Sequence, residues 1–277
     1  MEVQISAKDV KKLRDMTGAG MMDCKKALKE AEGDIEKAIE HLRKKGQKLS
    51  DKRADRDAKE GVVYALVSDD NSKGVIVRLS SETDFVAKNE DFINLAKSFA
   101  ETALHNMPAD LAALLALDYE GITVGEKVIE QVGVIGEKIE IKTYEKLEAA
   151  QVVPYIHMGH KAGVLVGLNK AESDYLEAGK NVAMQVAAMK PVALDKDGVD
   201  ASIVEKEIEI GKEQARQLGK PEEMLERIAL GKLNKFYKEN TLLNQQYVKD
   251  SKQSITDYLK SQNPELTVTA FKHVTLG

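Results

Sequence analysis

The amino-acid sequence predicts an α+β protein in which a small helical bundle precedes a duplicated α/β core. Three observations carry that reading. Helix start and stop residues cut residues 1–46 into three short amphipathic segments, the order strand, strand, helices, strand occurs twice downstream, and a charged helical stretch at about 200–238 interrupts the second copy. Composition agrees: 43% of residues are hydrophobic but only 5% are aromatic and none is Trp, so Ala, Val, Ile and Leu must supply the burial, a balance that favours helices. A length of 277 residues suits roughly two domains.

Ser6 followed by Asp9 reads as a helix start, with Val10 and Leu13 one turn apart and Gly18-Ala19-Gly20 as the stop. A second helix runs from about Met21 to Ala31 and stops at Gly33. Asp34 caps a third, whose Ile35, Ala38, Ile39 and Leu42 recur at helical spacing before Gly46. Residues 47–60 hold almost nothing apolar and alternate in charge, which suits a solvated linker or an exposed helix, and a domain boundary is placed there.

The first core unit, 61–148, opens with β-like runs at Val62–Val67 and Val75–Leu79 around a turn-rich Ser68–Gly74, a hairpin signal that makes the sheet antiparallel. A helix carrying Phe92, Leu95, Ala96, Phe99 and Ala103 follows, then helical stretches near 109–117 and 126–132 and a strand at Lys138–Tyr144. The second unit, 149–277, repeats the order. Its strands are Gln151–His157 and Gly163–Leu168, its next helix carries Val182, Val186 and Ala187, and it closes with a helix at Ser254–Lys260 and a strand at Leu266–His273. Gly-Val-Ile-Val-Arg-Leu at 74–79 is echoed by Gly-Val-Leu-Val-Gly-Leu at 163–168. Within the inserted stretch, Gly219 and Pro221 break the helical pattern and give an antiparallel helical hairpin that projects.

Several function classes are disfavoured. A net charge of −5 argues against a duplex-binding footprint. Cys24, the single cysteine, rules out an internal disulfide and a cysteine-based zinc cluster, and on its amphipathic helix it reads as a small core side chain rather than a nucleophile. The chain has no phosphate loop, dinucleotide fingerprint or His-Glu-x-x-His motif, and His157 with His160 lacks a third ligand, so no catalytic, cofactor or metal residue is assigned. Met-Glu-Val-Gln-Ile-Ser lacks the regions of a signal peptide, and no apolar stretch is long enough for a membrane helix, so a cytoplasmic protein is expected.

The informative segment is Thr83-Asp84-Phe85-Val86-Ala87-Lys88, between a strand and a helix that Asn89 can cap. Together with Thr-Gly-Ala-Gly-Met-Met-Asp-Cys-Lys-Lys-Ala-Leu at 17–28, it closely resembles the elongation factor Ts family. The resemblance covers nearly the whole chain, through Gly33-Asp34, Tyr155-Ile156-His157, Val186-Ala187-Ala188, Gly219-Lys220-Pro221 and Leu233-Asn234-Lys235-Phe236. It implies a ubiquitin-associated (UBA)-like N-terminal bundle, a two-part core and a coiled-coil arm. It also implies a guanine-nucleotide exchange factor, not an enzyme, whose partner is the GTPase elongation factor Tu.

Carried onto matching positions, the resemblance makes Thr83, Asp84, Phe85 and Val86 an exchange wedge that intrudes on the partner and disturbs its Mg²⁺ site. Nucleotide held at nanomolar affinity sits about 12 kcal/mol down, and an ion bridging phosphate and protein oxygens is a large part of that hold. The resemblance further implies that the N-terminal bundle docks on the GTPase, with Lys12, Arg14, Met21 and Met22 at the contact, and that His157 faces the partner.

Taken alone, these residues have plainer readings: Phe85 as core, Asp84 as a cap, Lys12 and Arg14 as solvated charges, His157 as a satisfied strand-end side chain. Adjacent Met21 and Met22 cannot share one helix face, which leaves at least one for a partner. The sequence departs from the family at Gln245-Gln246-Tyr247, where Gln-Pro-Phe is common, around Tyr-Ile-His-Met-Gly-His-Lys, and at Gly277, where some members carry a further helix. The rival reading is an adaptor whose bundle binds a ubiquitin-like or RNA-associated partner; it gives no reason for Thr83–Lys88 or for the duplicated core.

Overall fold

The computed structural model describes residues 4–276. Its contacts divide the chain into two compact units. One comprises residues up to Tyr64, Val77–Glu145 and the residues from Thr275; the other comprises Ala65–Ile76 and Lys146–Val274.

The chain starts with three helices, α1 (Ala7–Thr17), α2 (Met21–Glu30) and α3 (Ile35–Arg53). The Ser6 side chain accepts the Asp9 N–H to cap α1, and Asp34 accepts the Lys37 N–H to cap α3, so short side-chain oxygens satisfy amides that the first helical turn leaves over. Val10, Leu13, Cys24, Leu28 and Ala38 close the bundle's core. Leu13 and Leu28 are fully buried, each worth about 1.5–3 kcal/mol in apolar surface removed from water.

Strands β1 (Glu60–Val67) and β2 (Lys73–Ser81) form the expected hairpin, whose turn the Ser68 N–H closes on the Lys73 carbonyl. Then come α4 (Asp84–Ala87), α5 (Glu90–Asn106), α6 (Leu111–Leu115), a ribbon of β3 (Asp118–Tyr119) and β4 (Ile122–Thr123), α7 (Val124–Ile135) and β5 (Glu140–Glu148). The first sheet has the order β1-β2-β5, and its central strand β2 is buried at every residue but its first.

One expectation is corrected here. α3 does not stop at Gly46 but continues to Arg53, so residues 47–53 are helical and only 54–59 lie outside regular structure. The reason is tertiary. A Cβ on Gly46 would stand 2.8 Å from the Ile129 carbonyl oxygen, and Gly133 Cα lies 3.7 Å from the same point. Gly46 is therefore a close crossing of α3 over α7, and packing along that crossing outweighs the poor helix propensity of glycine.

The other unit holds β6 (Gln151–His157), β7 (Ala162–Leu168), α8 (Tyr175–Met189), α9 (Ala201–Gln217), α10 (Glu222–Asn240), β8 (Gln246–Tyr247), β9 (Asp250–Ser254), α11 (Ile255–Gln262) and β10 (Val268–Thr275). Its sheet order is β10-β7-β6, with β6 and β7 antiparallel from Gln151 opposite Leu168 to His157 opposite Ala162. β7 is buried along its length, as a central strand must be, and α8 lays Tyr175, Val182 and Val186 into the core that Val164, Val166 and Leu168 share. α9 and α10 pack on each other through small residues, with Gly211 facing Ala229. The four two-to-five-residue strands β3, β4, β8 and β9 were not legible in the sequence, being too short to show a period.

Candidate functional site

β2 ends at Ser81, and the next residues turn into α4, a helix of 4 residues with no buried member. Phe85 sits on it 83% exposed, which ends the core reading of that side chain. An aromatic ring held in water forgoes about 1.5–3 kcal/mol of burial, which a binding partner can return. Asp84 pairs with Lys88 at 2.6 Å one turn on, and that hydrogen bond holds its carboxyl below the usual range. Val86 is half-buried.

Thr83 stands at the cap position of α4, yet its hydroxyl does not cap the helix. It donates instead to Glu137 Oε1 at 2.6 Å, while Glu137 Oε2 accepts the backbone N–H groups of Glu82 and Thr83 at 3.1 and 3.0 Å. The Glu82 carboxylate in turn accepts the Lys138 N–H at 2.6 Å, Arg53 at 2.6 Å and Arg56 at 3.0 Å. Burial pushes the Glu82 carboxyl up, but the Lys138 amide and the two guanidinium groups outweigh it and hold the group at about 2. Glu82 and Glu137 carried no signal in the sequence: the second lies 54 residues from the threonine it holds, a distance no local motif spans.

The sign of the resulting pH dependence is definite. A carboxylate depressed from 4.5 to about 2 contributes stability that is complete above pH 4.5 and disappears as pH falls through about 2. Glu82→Gln should therefore lower stability at neutral pH and flatten the curve of unfolding free energy against pH between those values, as read by urea unfolding at a series of pH values. An unchanged slope would show that Glu82 is not tied down as described.

On the bundle, Lys12 and Arg14 are exposed on α1, and Met21 and Met22 are 59% and 76% exposed at the start of α2. Met16 is also exposed and was not singled out from the sequence, because a methionine in an amphipathic helix carries no mark of its facing. The turn after α1 and the short helix α4 border one groove of about 430 Å³, lined by Gly18, Val86, Phe92, Gln131, Val134 and Ile135 among others. The structure thus brings the bundle's turn and the exposed motif to a common face.

His157 belongs to the other unit. It ends β6, and its Nδ1 lies 3.0 Å from the Tyr155 hydroxyl. Burial, followed by the charges of Lys190 and His157, holds the His273 imidazole below its ordinary value. Among the described residues, no group of three or more His, Cys, Asp or Glu is arranged to hold a metal ion, and no helix is long and apolar enough to cross a membrane. Cys24 is buried in the bundle, where desolvation raises its thiol pKa, the opposite of what a nucleophile requires.

Comparison with known proteins sharpens the picture. The sequence pattern of the family described as Elongation factor TS matches residues 82–277, beginning directly before the exposed motif. The chain is 57% identical over 274 residues to an elongation factor Ts of Christiangramia forsetii, with 99% of each chain covered. It is 53% identical to that of Flavobacterium psychrophilum over 273 residues, again covering 99% of each. A more distant relative, the elongation factor Ts of Chloroherpeton thalassium, is 45% identical over 96% of this chain and 94% of its own. An exposed phenylalanine on an anchored turn, beside a helical bundle and a family match over most of its length, leads to one assignment: the chain belongs to the elongation factor Ts family.

Proposed function

We propose that this guanine-nucleotide exchange factor of translation elongation drives GDP off elongation factor Tu by pressing Asp84 and Phe85 into the GTPase, where they dislodge the Mg²⁺ and phosphate contacts that hold the nucleotide. The observation that carries the reading is the 83% exposure of Phe85 on a short helix that buries none of its residues. Thr83 anchors the wedge and Val86 backs it against the groove. The chemistry belongs to the partner; this chain acts by contact alone and needs no cofactor.

In this reading the N-terminal helices form a UBA-like module that docks through Lys12, Arg14, Met21 and Met22, while His157 makes a separate contact. The two three-stranded sheets with their helices are a duplicated core, and α9 with α10 is a coiled-coil arm. The chain itself binds neither nucleotide, nucleic acid nor membrane, and works in the cytoplasm. By linkage, nucleotide rebinding must weaken the exchange factor's grip by the same factor that the factor weakens nucleotide binding, which lets GTP complete the cycle.

The test is release of fluorescent GDP from elongation factor Tu, with and without the chain at micromolar concentration; no acceleration refutes the proposal. A second measurement separates docking from displacement. Met22→Ser removes an exposed apolar contact, so it should raise the concentration needed for half-maximal release about tenfold, with the release rate at saturation nearly unchanged. Cutting the chain after residue 46 is a poorer test, because it severs α3 above the arginine that holds Glu82.

A further inference from the structure

We infer that Glu137, with Glu82 as its counterpart, is the positioning residue that aims Phe85, an assignment that rests on the wedge reading above. α4 cannot aim itself. It has 4 residues, buries none of them, and ends at Ala87, where the N–H of the cap residue Lys88 returns to the Asp84 carbonyl at 3.0 Å. A single turn of helix is far below the length at which a helix persists unaided. The direction of the ring therefore comes from the residues before it.

Those residues are held by a reciprocal lock. Glu137 takes two backbone amides and one hydroxyl from Glu82 and Thr83, and Glu82 takes the backbone amide of Lys138. Each segment's carboxylate thus grips the other's main chain, one residue ahead of the wedge. Ser81 Oγ donates to the Thr83 carbonyl at 3.0 Å, fixing the peptide on the other side of the same residue. Arg53 and Arg56 bring the end of α3 onto the lock at 2.6 and 3.0 Å. Hydrogen bonds to an ionised acceptor are the stronger class, and three of them on one carboxylate define a direction as well as an energy. A rigid wedge transmits a push to the GTPase; a swivelling one is pushed aside.

Glu137→Gln tests this with little change of shape. Its amide carries no charge, so the two backbone N–H groups lose their charge-assisted bonds, and its NH₂ can meet the Thr83 hydroxyl only by reversing that bond, so the lock weakens while volume is kept. The saturating rate of GDP release should fall about tenfold, with the half-saturating concentration changed less than about threefold, because docking residues are untouched. Hydrogen exchange at the Glu82 and Thr83 amides should accelerate in the free protein. The deciding measurement is the double variant: on a Phe85→Ala background, Glu137→Gln should cost no more than about twofold further, since a positioning residue has nothing left to position.

Release within about twofold of the parent for Glu137→Gln, or an undiminished tenfold loss on top of Phe85→Ala, overturns the inference. If Phe85→Ala alone retains full exchange, the wedge reading falls and this one with it. If Phe85→Ala loses exchange and Glu137→Gln does not, only the positioning role falls. Should Glu137→Gln fold poorly, Glu82→Gln breaks the lock from the other side and is judged by the same criteria.

Discussion

Phe85→Ala should slow GDP release from elongation factor Tu at saturation by about thirtyfold, the equivalent of about 2 kcal/mol for an aromatic anchor, while the isolated protein stays as stable as its parent. The two halves of that expectation have one origin. The ring is 83% exposed, so its removal opens no cavity and should change folding by no more than about 0.5 kcal/mol. A buried phenylalanine behaves otherwise: Phe92, seven positions on and 4% exposed, should cost about 3–5 kcal/mol on truncation and damage every activity together. Binding of Phe85→Ala to nucleotide-free elongation factor Tu should fall less than release does, because the docking surface proposed on the bundle is untouched. Asp84→Ala should act in the same direction. Stopped-flow release beside urea unfolding reads both quantities, and full exchange from a stable Phe85→Ala protein would refute the site.

A large stability effect is also expected at Gly61, in β1. Its φ is +141°, outside the range side chains adopt, and an added Cβ would lie 2.2 Å from the Leu79 carbonyl oxygen and 2.7 Å from Ser80 Cα. Both obstacles are backbone, so no rotamer relieves them. Gly61→Ala should cost about 3 kcal/mol or more, measured as a shift of the urea midpoint at constant slope. The consequence reaches the site, since β2 runs through Leu79 and Ser80 directly into the lock at Glu82 and Thr83. Gly61→Ala should thus lose exchange in step with folding, whereas Phe85→Ala loses exchange with folding intact. A Gly61→Ala protein of parental stability would show that the strand is not pinched there.

The helix boundaries that proved readable from the sequence are those with a local cause. Ser6, Asp34 and Asn89 each accept an amide two or three residues ahead, so the side chain that marks the start is also the one that makes the bond. Gly18 stops α1 because it adopts φ of 69° within its own turn. The hairpin of β1 and β2 and the pair β6 and β7 were legible for the same reason: runs of β-branched residues flank turn formers. The Thr83–Lys88 motif named the family, which the full-length relatives then bore out.

Tertiary structure decided what local chemistry leaves open. Gly18 and Gly46 are the same residue, yet one ends a helix and the other lets α3 pass against the Ile129 carbonyl, and only the distant α7 distinguishes them. Phe85 and Phe92 both follow acidic residues, and it is the packing of α5 that buries one and leaves the other in water. The lock between Glu137 and Thr83 joins residues 54 apart. By itself, then, the sequence determined the family, the α+β class and the residues of the motif, because short-range hydrogen bonding and residue order suffice for those. Which side chains face water, and which carboxylates hold the motif in place, was decided only when segments far apart in the chain came into contact, because burial and charge-assisted bonding depend on neighbours that sequence order does not supply.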